Sequence, residues 1–175
     1  MDTKRIKGLQ VITLAGHKVG AVDQIFFDPT TKRVAGFVLQ ADSTLPDGSP
    51  RLVDADDVHA LGADALTLPD AAAVRGTAAG SQLTELVQLD DLAKRQVVTE
   101  GGTVLGQIAA IELDPRTLQL ARIEVSAEFF KSNTWIAADQ VTRLGTDAIM
   151  VADTIAAPDA MTPPVEPAVA AGAPV

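Results

Sequence analysis

The sequence predicts an all-β protein built from two small antiparallel β-barrels in tandem. Three observations carry this prediction: a long internal repeat, strands marked by alternating apolar residues, and turn signals between the strands. Residues 6–40 reappear without a gap as residues 92–126. A second block, residues 52–70, reappears as residues 135–153, at a spacing of 83 instead of 86 residues. Because loops tolerate changes in length, the missing residues belong in a loop between the two blocks.

The repeat divides the chain into four segments. We expect repeat 1 over residues 5–70, an Ala/Gly-rich linker over 71–87, repeat 2 over 88–153 and a flexible Ala/Pro-rich tail over 154–175. A repeat of this size has a core that is only marginally stabilising. The chain has no Cys, so disulfides cannot reinforce it. We therefore expect the repeats to gain stability by packing on each other.

Each repeat begins with a β-hairpin around an Asp-Pro turn. In repeat 1 the apolar residues 19–27 and 34–39 flank Asp28-Pro29. An Asp carboxylate can accept hydrogen bonds from the backbone N–H groups that follow it, and Pro fixes the next φ angle, so this dipeptide opens a type I turn. In the second hairpin strand of repeat 2, the side chains alternate between two faces: Ala121, Ile123 and Val125 point one way, and Arg122, Glu124 and Ser126 point the other. This alternation is typical of a half-buried strand.

The first strand of each hairpin breaks its alternation once. In repeat 1 the break lies between Val22 and Ile25, with Gly20 just before it, and the same pattern recurs 86 residues later. A break in phase predicts a β-bulge, which bends a sheet toward closure. A glycine beside it indicates a sharp corner or a close approach of two backbones.

Shorter elements complete each repeat. In repeat 1 we expect a short strand at residues 52–53, a single helical turn capped by Asp56 and a final strand at residues 66–68. Their counterparts follow 83 residues later. Residues 83–92 add a short helical or extended lead-in to repeat 2.

The charge of the chain argues against direct contact with nucleic acid. The formal net charge is −9 and the isoelectric point is near 4.5, whereas a nucleic-acid-binding surface is basic. Apolar runs are much shorter than the roughly 20 residues that cross a bilayer. No apolar stretch follows the basic residues at the N-terminus, so we expect no secretory signal, no transmembrane segment and a cytoplasmic location.

Residues that carry chemistry are scarce. His17 and His59 are each replaced by Thr in the other repeat, which favours ordinary surface positions over a catalytic or metal-binding role. Asp54, Asp56 and Asp57 form an acidic cluster, but the following residues lack the Gly turn and the distal Glu of a calcium loop. Neither a catalytic triad nor a cofactor motif is present. We therefore expect no enzyme activity, no cofactor and no metal.

One difference between the repeats indicates a contact surface. The outward positions of the hairpin are apolar in repeat 1 and charged in repeat 2: Phe26, Gly36 and Val38 correspond to Glu112, Arg122 and Glu124. Burial against the other repeat or a second subunit would explain an apolar face, and so would a partner-binding patch. Two adjacent aromatic residues in a loop, Phe129 and Phe130, could supply the other half of such a contact.

The motifs of both repeats resemble the PRC-barrel family. The resemblance rests on a Gly-x-x-Val-Gly strand start, an Asp-Pro-x-Thr turn and an Asp-x-Val-x-x-Leu-Gly-x-Asp-Ala ending. These occupy residues 16–22, 28–31 and 56–66, and again residues 102–108, 114–117 and 139–149. The family includes the cytoplasmic domain of the photosynthetic reaction-centre H subunit and the C-terminal domain of a ribosome maturation factor. The resemblance implies two β-barrels with a docking or assembly role.

Three functions follow from this resemblance. Our first expectation is a non-enzymatic binding or assembly module that docks on a protein partner of unknown identity or on a second copy of itself. The first alternative is a factor of ribosome maturation or RNA metabolism that acts through protein contacts. The second is a peripheral partner of a photosynthetic, reaction-centre-type membrane complex. The transmembrane helix of the H subunit and the N-terminal domain of the maturation factor have no counterpart in this sequence, so neither function transfers directly.

Overall fold

The structure of the protein, a computed structural model, describes residues 1–40, 51–76, 86–126 and 133–155. The predicted contact residues Phe129 and Phe130 lie outside these ranges, as does nearly all of the predicted tail. Strands dominate the described residues and form two sheets, one in each repeat. The prediction of an all-β chain with two β units is therefore confirmed.

Repeat 1 consists of a one-turn helix and seven strands. In chain order these are α1 (Thr3–Ile6), β1 (Gln10–Thr13), β2 (Lys18–Asp28), β3 (Arg33–Gln40), β4 (Arg51–Asp54), β5 (Ala60–Leu61), β6 (Ala65–Leu68) and β7 (Val74–Gly76). Short 3₁₀ turns occupy Ala55–Asp57 and Ala71–Ala73. The strands are ordered β5-β6-β1-β2-β3-β4-β7 across the sheet. Strand β7 lies inside the segment predicted as linker.

Repeat 2 has the same plan. Its elements are β8 (Val87–Gln88), α2 (Leu89–Leu92), β9 (Gln96–Thr99), β10 (Val104–Leu113), β11 (Leu120–Ser126), β12 (Thr134–Ala137), β13 (Val141–Leu144) and β14 (Ala148–Val151). A 3₁₀ turn follows at Asp153–Ile155. Strand β8 joins the sheet of repeat 1, and the others are ordered β12-β11-β10-β9-β14-β13.

The predicted barrels are wrong in two respects. Each sheet is open in the described residues, because the edge strands at its two ends do not pair with each other. In repeat 1 these edge strands have only two and three residues. The sheets are also mixed, since β1 pairs parallel with β6 and β9 pairs parallel with β14. Strands β6 and β14 thus return beside the first sheet strand of their repeat in the same direction, which hairpin signals do not reveal.

The predicted bulge and turn are confirmed. The pairing of β2 with β3 shifts register between Val22 and Gln24, and the pairing of β10 with β11 shifts at the matching position. Gly20 has φ of 154°, and a Cβ atom there would lie 2.8 Å from the carbonyl oxygen of Gln40. Close backbone approach therefore requires glycine. The carboxylate of Asp28 accepts a 2.8 Å hydrogen bond from the backbone N–H of Thr30, as the turn signal predicts.

The predicted capping role of Asp56 is wrong. The 3₁₀ turn begins at Ala55, and the residue at its N-cap is Asp54, whose side chain makes no capping hydrogen bond. Asp56 instead accepts a 2.7 Å hydrogen bond from Arg33, whose strand lies 23 residues earlier in the chain. In repeat 2 the matching residues form a turn and then β13, because Val141 and Leu144 are buried in the sheet.

The two repeats share one hydrophobic core. A single continuous cluster of buried side chains includes Ile25 and Phe37 from repeat 1 together with Ile111 and Ile123 from repeat 2. Leu89 of α2 belongs to the same cluster. Burial of apolar area contributes roughly 25 cal/mol per Å². The repeats therefore stabilise each other, as expected for units too small to be stable alone.

Candidate interaction surfaces

The repeats exchange their N-terminal residues. Strand β8, which leads into repeat 2, pairs antiparallel with β2 of repeat 1, with Gln88 opposite Phe26. Reciprocally, Asp2 forms an antiparallel bridge with Glu112 in β10 of repeat 2. Residues 2 and 88 are equivalent in the repeat, and so are residues 26 and 112. Each repeat thus uses its first residues to extend the sheet of the other.

The centre of this inter-repeat seam is symmetric. Arg33 and Gln119, which are equivalent positions, form an antiparallel bridge. The N–H of Val34 donates to the carbonyl of Leu118 at 2.9 Å, and on the other side the N–H of Leu120 donates to the carbonyl of Lys32 at 2.8 Å. The contacts therefore follow an approximate two-fold symmetry, as in a homodimer whose two copies are joined in one chain.

Lysine side chains add contacts across the seam. The ammonium of Lys32 donates to the backbone carbonyls of Ala138, at 3.2 Å, and Val141 in repeat 2. Lys4 of α1 donates to the carbonyl of Ala109 at 2.9 Å. Lys7 forms an ion pair with Asp90 of α2. The basic residues near the N-terminus are thus used to hold α1 against repeat 2.

A small cavity lies beside these lysines. It has a volume of about 70 Å³ and lies between α1, α2, β2 and β10. Its lining is mainly apolar and includes Ile25, Leu89 and Ile111.

The outward face of repeat 1 carries an apolar cluster. Cross-strand pairing places Phe26 opposite Gly36 and Val38 opposite Leu52. Phe26 and Val38 are half-buried and Gly36 is buried. Leu52 is only 6 % exposed although it stands outside the main core cluster. We call Phe26, Val38 and Leu52 the apolar face.

Glycine is required at the centre of the apolar face. A Cβ atom at Gly36 would lie 2.9 Å from the carbonyl oxygen of Val53 in the neighbouring strand β4. The matching residue in repeat 2, Arg122, carries a full side chain. The backbones of β3 and β4 therefore approach more closely than a residue with a side chain would allow.

The matching face of repeat 2 is ionic and aromatic. Arg122 donates to Glu112 at 2.5 Å, and its guanidinium lies 4.2 Å from the centre of the Trp135 ring. Asn133 donates to Glu124 at 3.0 Å. Trp135 is 41 % exposed. We call Glu112, Arg122, Glu124 and Trp135 the charged face.

The ion pair on the charged face shifts the pKa values of both Glu112 and Arg122. The hydrogen bond from Arg122 holds the pKa of Glu112 below its ordinary value, against an opposing contribution from burial. The same hydrogen bond raises the pKa of Arg122. Both groups are therefore charged at neutral pH, and the stacking of Arg122 on Trp135 is a cation–π contact.

The acidic cluster predicted from the sequence is engaged by arginines. Arg75 of β7 bonds to Asp54 at 3.1 Å and to Asp57 at 2.9 Å, while Arg33 holds Asp56. No group of three His, Asp or Glu residues is placed to hold a metal ion in the part of the chain that the structure describes.

Comparison with known proteins identifies the first unit. Residues 1–73 match the family model of the PRC-barrel domain. Repeat 1 is a PRC-barrel domain. This family generally serves as a non-catalytic domain for protein interaction or assembly. No curated protein matches the chain.

The match spans all of the sheet of the PRC-barrel repeat except β7 and the added β8. It therefore includes the predicted contact residues Phe26, Gly36 and Val38. The structure brings these three residues together on one face, where Leu52 joins them. Within the described residues, no helix is long and apolar enough to cross a membrane.

Sequence reasoning missed three residues of these surfaces: Leu52, Arg75 and Trp135. Leu52 and Trp135 are equivalent in the repeat, so comparing the repeats beyond the hairpin would have added them to the apolar and charged faces. Arg75 could not be found in this way, because it lies after the repeated block, in the segment predicted as linker.

Proposed function

We propose that this chain is a non-enzymatic binding module that docks on a protein partner in the cytoplasm through the apolar face of its PRC-barrel domain. The observation that carries the proposal is the contrast between the two repeats. Four equivalent outward positions are apolar in repeat 1, whereas three of them are charged in repeat 2: Phe26, Gly36, Val38 and Leu52 correspond to Glu112, Arg122, Glu124 and Trp135. A face that stays apolar in one copy alone is typical of a contact surface.

We further propose that repeat 2 is a second PRC-barrel. Its strands β9 to β12 and β14 follow the order of β1 to β4 and β6, including the parallel pair and the bulge. Under this proposal the units occupy residues 5–70 and 88–153, and the symmetric seam makes them a dimer within one chain. Self-association through the apolar face would then extend an assembly that the chain already contains.

The proposal is tested by affinity capture from the native cell with the full chain as bait. Wild type is compared with Val38→Glu, which introduces a charge into the apolar face. The control is Leu14→Glu, the same kind of change at an apolar residue that is 59 % exposed and lies outside that face. We expect a protein recovered with wild type and with the control to be lost with Val38→Glu.

Two further measurements distinguish a loss of docking from a loss of folding or of self-association. Circular dichroism establishes that Val38→Glu is folded, and light scattering reports whether wild type is a monomer or self-associates. Equal recovery of all proteins by Val38→Glu and wild type, with the variant folded, would contradict docking through this face. Recovery of ribosomal or photosynthetic proteins would identify one of the two alternative settings.

A further inference from the structure

The two repeats differ at one edge of their sheets. In repeat 1 the outer edge of β4 is covered by β7, with Leu52 opposite Arg75 and Val53 opposite Val74. The counterpart of β4 in repeat 2 is β12, which pairs with β11 on its inner side. No strand among the described residues covers the outer edge of β12.

Side-chain exposure follows this difference. Leu52 is 6 % exposed in the covered strand, whereas the equivalent Trp135 is 41 % exposed in β12. Thr134 and Ala137, at the two ends of β12, are also exposed. The edge of a sheet presents N–H and C=O groups that another extended chain can pair with.

We propose that the outer edge of β12 binds an extended segment of a partner protein, with a basic residue placed opposite Trp135. This inference rests on the proposed function as a protein-binding module and assigns it a second contact site. The bound segment would run antiparallel to β12, as β7 runs along β4 in repeat 1.

The basic residue is inferred from Arg75. In repeat 1 this residue stands opposite Leu52, and its guanidinium bonds to Asp54 and Asp57. The equivalents of those two acids in repeat 2 are the uncharged Ala137 and Gln140. A basic residue opposite Trp135 therefore needs other acidic partners.

The charged face supplies such partners. Glu124 lies opposite Trp135 on β11, and its carboxylate accepts a hydrogen bond from the neutral amide of Asn133. An added strand would lie about 4.8 Å from β12, so an Arg or Lys opposite Trp135 could contact the indole ring and extend toward Glu124. The net charge of −9 adds long-range attraction for a basic segment.

Two other occupants fit the edge less well. The chain's own residue at the place of Arg75 is Pro158, which has neither a backbone N–H nor a cation. A second copy of the chain would bring another strand with Glu124 beside it and another nine negative charges. Both occupants are separate outcomes of the test below.

The test uses the full chain and a synthetic peptide of residues 70–76, which contains the strand that covers β4. Trp135 is the only Trp, so its fluorescence reports on this edge, and NMR follows the amides of residues 134–137. We expect saturable shifts of these amides. A peptide with Arg75→Glu should bind at least about fivefold more weakly, because a charge-assisted contact becomes a repulsive one.

Variants of the full chain locate the site. Trp135→Lys should abolish the amide shifts, since a cation replaces the indole on an exposed edge position. Glu124→Gln should weaken peptide binding without altering the strand. The control is Val104→Lys, which adds the same charge to an apolar residue of repeat 2 that is 49 % exposed and lies outside β12. It should bind like wild type.

Three results would overturn the inference. The first is the absence of amide shifts at residues 134–137 up to about 1 mM peptide, the limit of weak specific binding. The second is equal binding of the Arg75→Glu peptide. The third is hydrogen-exchange protection, in the chain alone, of the Trp135 and Ala137 amides, which alternate with the Ala138 amide bonded to β11 and therefore face the outer edge. The chain itself or a second copy would then cover that edge. The proposed function is tested separately by the capture experiment. If capture of a partner still depends on Val38, docking through the apolar face stands even when one of these three results rules out binding at the β12 edge.

Discussion

At the scale of single residues, Val38 distinguishes the two repeats most directly. Both Val38 and its counterpart Glu124 are half-buried, but Val38 lies opposite the apolar Leu52, whereas Glu124 accepts a hydrogen bond from Asn133. A carboxylate at position 38 would lose part of its hydration, and the substitution would also remove the apolar contact of Val38 with Leu52. We expect Val38→Glu to lower the free energy of unfolding by about 1–3 kcal/mol, measured by thermal and denaturant melts.

Glu124→Gln is the matched control for Val38→Glu. It should change stability by less than about 0.5 kcal/mol, because Gln keeps the size of the side chain and an oxygen that can accept the hydrogen bond from Asn133. If the melting temperature and the elution volume of Val38→Glu both equal those of wild type, position 38 is open to solvent. The expected loss of stability would then be wrong.

Glu112 predicts a pH dependence of stability. Its pKa in the folded protein is lowered from an ordinary value of 4.5, chiefly by the hydrogen bond from Arg122. A lowered pKa means that its contribution is complete above the unfolded pKa and is lost as the pH falls through the folded pKa. Wild type should therefore melt above Glu112→Gln at pH 7, and this difference should vanish at acidic pH.

The control for this pH series is Glu100→Gln, at an exposed residue in the turn between β9 and β10. It should show no comparable difference from wild type at either pH. A gap between wild type and Glu112→Gln that widens on acidification would contradict the assigned ion pair.

At the scale of elements, the long strand β2 depends on Gly20. Residue 20 combines positive φ with a backbone oxygen 2.8 Å from the place of a Cβ atom, whereas Gly16 has φ of 84° and nothing within 4 Å. Gly16→Ala should cost about 1 kcal/mol for the backbone conformation alone. Gly20→Ala should cost about 2–4 kcal/mol, because residues with a side chain rarely adopt a φ of 154° and the close contact adds to that backbone strain. Denaturant unfolding measures the loss of stability in both variants. Equal losses would mean that the backbone at Gln40 moves away from the new Cβ atom without cost, which would contradict this prediction.

Sequence patterns predicted elements well where local chemistry decides them. The bulge after Gly20, the turn at Asp28 and the final strands of both repeats are present. The role of Asp56 was not predictable, because its partner Arg33 is brought to it by the pairing of the sheet. Strand β7 was missed for the same reason: the Ala-rich residues before it resemble a linker, and its partner β4 is what makes residues 74–76 a strand.

At the scale of the whole molecule, the seam predicts that the repeats remain together when the connection is cut. A protease site is placed within residues 77–85, and the folded protein is cleaved there. The halves should elute as one species, because β8, Asp2 and the shared core cross between them. Halves that separate in native buffer would show that the repeats are independent domains.

The duplication, the all-β class and the hairpins could all be inferred from sequence patterns, because repeats, alternation and turn residues are read directly along the chain. The sequence also singled out the hairpin positions where the two copies differ in polarity. Three features became visible only in the folded molecule. The sheets are open and mixed, the first residues of each repeat extend the sheet of the other, and β7 covers the outer edge of β4, whereas no described strand covers the equivalent edge of β12. These features depend on which distant segments meet, and backbone pairing between distant segments leaves little trace in the side chains of either one.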